Sequence, residues 1–126
     1  MAEKRTSRHT KPGMVCQELM FTIGASGAVT SYAGSVGVSS IAKAATGKYT
    51  VTMDKGFAAL HFAHGEVIRA SGVRLFPGCD GSTASGYTAG SSTFTLRIDA
   101  SDGTATEPSS GDLVRANVWF DELDIT

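Results

Sequence analysis

Residues 113–120 read Leu-Val-Arg-Ala-Asn-Val-Trp-Phe, and every second side chain is apolar. A period of two is the spacing of a β-strand, whose successive side chains point to opposite faces. The apolar face is formed by Val114, Ala116, Val118 and Phe120. The other, more polar face carries Leu113, Arg115, Asn117 and Trp119. We therefore predict that this segment is the last strand of the domain, with Trp119 on its more polar face.

Two other segments show the same alternation. The apolar positions are Tyr49, Val51 and Met53 in residues 48–53, and Phe94, Leu96 and Ile98 in residues 93–98. Turn signals rich in Gly, Ser and Asp recur about every ten residues between such segments. Further candidate strands are 15–23, 29–38, 57–63 and 66–70, and 57–63 also suits one helical turn. Residues 77–92 offer little to pack, so we expect a long surface loop there.

Seven or eight short strands at this spacing predict an all-β fold, namely a small antiparallel β-sandwich or jelly-roll-like domain. The chain has 126 residues, of which 15 are glycine and 26 are Leu, Ile, Val or Phe. This length suits one domain, and the few leucines argue against a helical bundle. The free edges of such a sheet can pair with another chain, so we expect a homo-oligomer.

Charge separates the beginning of the chain from the rest. The charged side chains of residues 1–13 are Glu3, Lys4, Arg5, Arg8 and Lys11. Residues 14–126, the predicted single β domain, carry more acidic than basic side chains, and the acidic ones are concentrated after residue 98. We therefore predict a flexible basic N-terminal arm. This arm either only aids solubility or becomes ordered against an acidic surface of a partner or of another copy.

Motifs for catalysis and for metal binding are absent from the sequence. It contains no Gly-x-Ser-x-Gly elbow, no Gly-rich phosphate loop and no His-Glu-x-x-His zinc signature. We therefore expect no enzymatic activity, no cofactor and no metal. The pair His61 and His64 lacks a cysteine or an acidic cluster beside it, and the acidic C-terminal residues lack the pattern of a calcium loop. Two cysteines, Cys16 and Cys79, are too few for a disulfide framework and are expected to be reduced.

Nucleic acids and membranes are not expected partners. Basic residues outside the arm are not interleaved with aromatic ones on any predicted strand. Residues 19–42 contain no charge, but 11 of these 24 residues are Gly, Ser or Thr, which makes a poor bilayer span. The basic start is followed by Gln17 and Glu18 where a signal peptide would become apolar.

Two blocks of the sequence resemble the small capsid decoration proteins of tailed bacteriophages, also called cement proteins. The first block is Ala-Ala-Thr-Gly-Lys-Tyr-Thr-Val-Thr-Met-Asp at 44–54, followed by Phe-Ala-Ala-Leu at 57–60. The second is Ser-Thr-Phe-Thr-Leu-Arg-Ile-Asp at 92–99, followed by Gly-Thr-Ala-Thr-Glu-Pro-Ser-Ser-Gly-Asp-Leu-Val at 103–114. In that family a strand, an acidic turn, a Gly-Asp turn and a closing strand follow in this order. The loop at 77–92 and the acidic C-terminal residues depart from the pattern.

The resemblance implies a β domain that is made in the host cytoplasm and binds the outer surface of the assembled phage head. Such proteins attach as dimers or trimers and staple neighbouring major capsid subunits, which stabilises the virion. Arg5, Arg8 and Lys11 would then reach across a capsid subunit boundary. Trp119 would pack against a neighbouring subunit or the arm, and Asp121 and Asp124 would accept basic side chains of a neighbour.

Two other functions remain open. One is an adhesion or fibre module that binds host-surface glycans, for which Trp119 would be the exposed aromatic platform. The other is a small-molecule-binding β-barrel, which needs a larger apolar interior than the aliphatic and Phe residues of this chain readily provide.

Overall fold

The structure, a computed structural model, describes residues 13–79 and 87–123. This part of the chain contains eight antiparallel strands, a single 3-10 turn at Ala25–Gly27 and no α-helix. The strands are β1 (Met14–Ile23), β2 (Val29–Ser31), β3 (Val38–Ala45), β4 (Lys48–Met53), β5 (Ala59–Ile68), β6 (Phe76–Gly78), β7 (Thr93–Asp99) and β8 (Leu113–Asp121). The prediction of an all-β antiparallel domain is confirmed.

All eight strands belong to one hydrogen-bonded sheet, in the order β2-β1-β8-β5-β6-β7-β4-β3. Its two edges, β2 and β3, are consecutive in sequence, and the sheet curls so that they approach each other. The Tyr32 hydroxyl donates a hydrogen bond of 2.9 Å to the Ser39 carbonyl across this gap. The Lys43 ammonium donates one of 2.7 Å to the Ser26 carbonyl. The sheet is therefore nearly closed, and it encloses the core.

The apolar face of β8 is the centre of that core. Strand β8 pairs with β1 on one side and with β5 on the other along its whole length. Its four predicted apolar side chains are at most 4% exposed, which confirms the prediction. The Phe120 ring stacks on Phe57 with 4.3 Å between centroids. The predicted apolar faces of β4 and β7 are also buried: Tyr49, Val51, Met53, Phe94, Leu96 and Ile98.

Strand β5 differs from the sequence-based expectation. Residues 57–63 and 66–70 are not two elements separated at His64-Gly65, because β5 runs through both of these residues. A β-bulge between Leu60 and Phe62 changes the phase of the alternation and hides the strand period. The missing side chain of Gly65 lets β5 approach β8 closely, since a Cβ there would collide with the Arg115 carbonyl oxygen.

Two other boundaries also differ from the prediction. The expected strand 29–38 is divided into β2 and β3, because residues 32–37 cross over beside β1. In this crossover the Ser35 hydroxyl accepts a hydrogen bond of 2.9 Å from the Met20 N–H. It also donates one of 3.0 Å to the Met20 carbonyl. The expected loop 77–92 begins inside β6, where Pro77 is buried, and its residues 80–86 lie outside the described residues.

The phenol of Tyr49 ties β4 to the turn that follows β1. Its side chain is fully buried, and its hydroxyl donates a hydrogen bond of 2.7 Å to the Gly27 carbonyl. Gly27 has a φ of 74°, a left-handed conformation that glycine adopts without strain. Burial, and to a lesser extent the charge of Glu107, raises the pKa of Tyr49 to about 12.

We expect the protein to lose stability at alkaline pH through Tyr49. Because folding raises this pKa above the ordinary value of 10.0, the neutral phenol contributes fully below pH 10. That contribution decreases as the pH rises towards about 12. The free energy of unfolding, measured in urea at increasing alkaline pH, should fall more steeply for the native chain than for Tyr49→Phe. If the free energy of unfolding fell equally with pH in both proteins, the effect could not be assigned to Tyr49.

Arg69 and Asp112 form a largely buried ion pair where β5 ends and β8 begins. The Arg69 Nε lies 2.8 Å from the Asp112 Oδ2, and the two side chains are 12% and 6% exposed. The same carboxylate oxygen accepts a hydrogen bond of 2.8 Å from the Ser109 N–H. The guanidinium also donates one of 2.6 Å to the Val73 carbonyl. The pair therefore holds both neighbouring loops against the sheet.

Asp112→Ala should lower the free energy of unfolding by about 3–5 kcal/mol, because it leaves a buried guanidinium without its partner. The matched control is Asp99→Ala, which breaks the more exposed Arg97–Asp99 pair. That change should cost about 1 kcal/mol or less. Urea denaturation measures the free energy of unfolding of both variants. Similar losses of stability would contradict the larger contribution expected from the buried Arg69–Asp112 pair.

Candidate partner-binding surface

The structure brings two of the sequence-predicted partner residues next to Gly13, the last residue of the predicted arm. Strands β1 and β8 are antiparallel neighbours, so Met14 pairs with Asp121. The Gly13 carbonyl accepts a hydrogen bond of 2.9 Å from the Glu122 N–H. Residues 1–12 therefore join the domain beside the end of β8 that carries Trp119 and Asp121. The other four candidates, Arg5, Arg8, Lys11 and Asp124, lie outside the described residues.

Asp121 is already engaged within the domain. Its Oδ1 lies 3.0 Å from the His61 Nε2, and the two side chains are 17% and 30% exposed. His61 is the extra residue of the β5 bulge, so its position beside β8 depends on a register that the sequence does not reveal. The neighbouring Glu122 contacts Lys55 at 3.7 Å. Each of these two carboxylates thus has a His or Lys side chain of the same chain close to it.

Trp119 points outward, as its position in the alternation predicts, and lies in a cluster of three stacked rings. The Phe62 ring lies 4.6 Å from it between centroids, and the planes are inclined by 14°. The His64 ring lies 5.2 Å from it at 23°. These two rings cover one face of the indole, so Trp119 is not an open platform by itself. Sequence analysis missed Phe62 and His64 as its neighbours, because only the β5–β8 register places them there.

Strands β1, β8 and β5 present three cross-strand rows of side chains on the outside of the sheet, which we call the outer face. The aromatic row is Cys16, Trp119 and Phe62; the amide row is Glu18, Asn117 and His64; the arginine row is Met20, Arg115 and Glu66. Aromatic residues, Met and Arg are the residue types enriched in protein–protein interfaces. Phe62 of the aromatic row is itself exposed, and further large exposed apolar side chains of β5, β6 and the loop between them adjoin these rows: Ile68, Val73 and Phe76.

The outside of strands β4 and β7 has a different chemical character. There Thr50 pairs with Thr95, and Thr52 pairs with Thr93. No large exposed apolar side chain of the described residues lies on these two strands. Four of the seven large exposed apolar side chains of the described residues thus lie on β5, β6 and the loop between them, which makes the aromatic row and these side chains the candidate contact surface.

Cys16 is the thiol of the aromatic row and is exposed. Partial burial and the nearby charge of Glu18 raise its pKa, so the thiol is protonated near neutral pH. Among residues 13–79 and 87–123, no three His, Cys, Asp or Glu side chains are placed to hold a metal ion. Within the same residues, no helix has the length and apolarity needed to span a membrane.

We compared the chain with protein-family models, with curated proteins and with solved structures, and none of them matches it. An all-β fold supports many unrelated functions.

Phe62→Ala should change the environment of the tryptophan without unfolding the domain. Phe62 is 47% exposed, and removal of one ring of a stacked pair costs about 0.5–1.5 kcal/mol beyond the lost burial. Since Trp119 is the only tryptophan, its emission should move to longer wavelength as water reaches the uncovered face. The matched control Phe76→Ala removes an equally exposed ring outside the stack, and emission should stay as in the native chain. An unchanged spectrum for Phe62→Ala would contradict the stacked arrangement.

Proposed function

We propose that the chain is a capsid decoration, or cement, protein of a tailed bacteriophage, which binds the outside of the assembled head and staples neighbouring major capsid subunits. The observation that carries the proposal is the position of Gly13, the last residue of the predicted arm, beside the end of β8 that belongs to the aromatic row. Residues 1–12 join the domain at Gly13, next to the end of β8 that carries Trp119. A rigid aromatic cluster and a basic arm at the same end of the domain would allow it to contact two adjacent capsid subunits at once.

The sequence blocks at 44–60 and 92–114 support the same function. They correspond to β4, β7, the segment leading into β5 and the turns before β8. The order of strand, acidic turn, Gly-Asp turn and closing strand is the pattern of the decoration proteins that they resemble.

The aromatic row supplies the kind of contact that dominates protein–protein affinity. Trp and other large aromatic side chains are enriched among residues whose removal costs about 2 kcal/mol or more in binding. Phe62, His64 and Trp119 hold one another in place, so little side-chain entropy is lost when a partner covers them. The cationic arm adds attraction to an acidic surface and has to lose its own conformational freedom on binding.

In this mechanism the protein stabilises the capsid through binding free energy alone. A protein that binds the assembled lattice but not its dissociated subunits stabilises the lattice by mass action. A homo-oligomer, either a dimer or a trimer, places several such contacts on one particle and multiplies weak affinities through avidity. The proposed location is the outer surface of the virion, and the proposed partner is the major capsid protein, with no nucleic acid or membrane involved.

The test uses the full-length chain and empty expanded heads of the phage that encodes it. We expect the protein to co-sediment with the heads and to raise the temperature at which they dissociate. Phe62→Ala and deletion of residues 1–12 should each weaken binding at least about tenfold, because each removes one of the two contacts.

The matched control is Thr95→Ala on the outside of β7, which should bind heads as the native chain does. Circular dichroism of each variant confirms that it is folded. The proposal is wrong if the folded native chain does not bind heads, or if neither Phe62→Ala nor the arm deletion changes the affinity.

A further inference from the structure

A groove crosses the outer face between the amide row and the arginine row. It has a volume of about 450 Å³, which lies in the range of about 300–1,000 Å³ that is usual for small-ligand sites. Its floor is backbone, because the Leu19 and Ala116 side chains point into the core and Gly65 has none. The rows on either side form its walls, and Gly34 and Arg74 lie at its ends.

The walls carry polar groups that the protein itself does not use. Among the described residues, the side chains of Glu18, Arg115 and Asn117 form no hydrogen bond and no salt bridge. Within the part of the chain that the structure describes, the only ion pair at the groove is Glu66 with Arg74, at 4.0 Å between highly exposed groups. Carboxylate acceptors, guanidinium donors and an amide that both donates and accepts are thus gathered around one concave surface.

This combination selects a class of ligand. The two carboxylates, of Glu18 and Glu66, balance the two guanidiniums, of Arg74 and Arg115, so the groove offers no net attraction to an anion or to a cation. A neutral polyhydroxylated molecule can use both kinds of group, because each hydroxyl donates one hydrogen bond and accepts others. Apolar C–H surface of such a ligand can pack on the ring of His64 and on the side chain of Met20, which line the groove.

The groove is also organised before any ligand arrives. His64 is stacked on Trp119 at 5.2 Å between centroids. On the other side, the Ser35 hydroxyl exchanges hydrogen bonds of 2.9 and 3.0 Å with the backbone of Met20. The His64 ring and the backbone at Met20 are therefore fixed in advance, which lowers the entropy lost on binding.

We propose that the groove between the amide row and the arginine row binds a neutral oligosaccharide. Asn117 and Arg115 at its centre hydrogen-bond the sugar hydroxyls, and Glu18 and Glu66 accept from them. This site does not depend on capsid binding, which uses the arm and the aromatic row.

The experiment begins with the full-length chain on an array of immobilised neutral trisaccharides of glucose, galactose and mannose, with sialylated and sulfated counterparts. The best neutral trisaccharide is then titrated in solution, and binding is followed by the emission of Trp119, which contacts the groove residue His64. Asn117→Ala and Arg115→Ala should each raise the Kd at least about tenfold. Thr95→Ala on the opposite side should leave the Kd unchanged.

The outcomes separate this proposal from the capsid proposal. Asn117→Ala should still bind heads, and deletion of residues 1–12 should still bind the trisaccharide. The oligosaccharide proposal is overturned if no neutral trisaccharide binds, if only sialylated or sulfated sugars bind through the arginines, or if Asn117→Ala and Arg115→Ala bind as tightly as the native chain. Circular dichroism establishes that both variants are folded, as expected for exposed side chains without internal partners.

Discussion

The pairing of β8 with β1 on one side and with β5 on the other decides which side chains of this protein reach the core and which reach solvent. From Leu113 to Asp121 each residue of β8 is held by both neighbours, so Val114, Val118 and Phe120 face inward together. A slip of one residue would move these side chains to the outside, because the side-chain period of a strand is two. The same register aligns the three rows of the outer face. The core and the candidate sites therefore depend on one set of hydrogen bonds.

Closure of the sheet relies on side chains rather than on a further strand pair. β2 has only three residues, so much of the gap to β3 is bridged by Tyr32 and Lys43 donating to backbone carbonyls. From inside the sheet, Tyr49 reaches the Gly27 carbonyl on the far side of the same gap. An exposed edge strand tends to pair with other chains, and Lys43 on β3 is the type of side chain that discourages such pairing. The edges are thus partly protected, and the outer face remains the main apolar contact surface of the described residues.

Sequence alone predicts the strands whose alternation is regular. The segments 48–53, 93–98 and 113–120 each show period two, and β4, β7 and β8 follow them closely. Prediction from the sequence fails for β5, because the bulge at His61 interrupts the alternation and Gly65 resembles a turn residue. It places Trp119 on the correct face but not beside Phe62, because cross-strand neighbours depend on a register that no local pattern encodes. The contact of Asp121 with His61 is hidden for the same reason.

The spacing of the rows explains how one face can carry two contacts. Successive outward residues of a strand lie about 7 Å apart, since each residue advances about 3.4 Å. Trp119 in the aromatic row is therefore about 7 Å from Asn117 and about 14 Å from Arg115 along β8. Gly13, the last residue of the predicted arm, lies on the side of the aromatic row that faces away from the arginine row. Among the described residues, His64 is the side chain common to both proposed contacts, since it stacks on Trp119 and also lines the groove. An effect of capsid binding on sugar binding would therefore pass through the His64 ring.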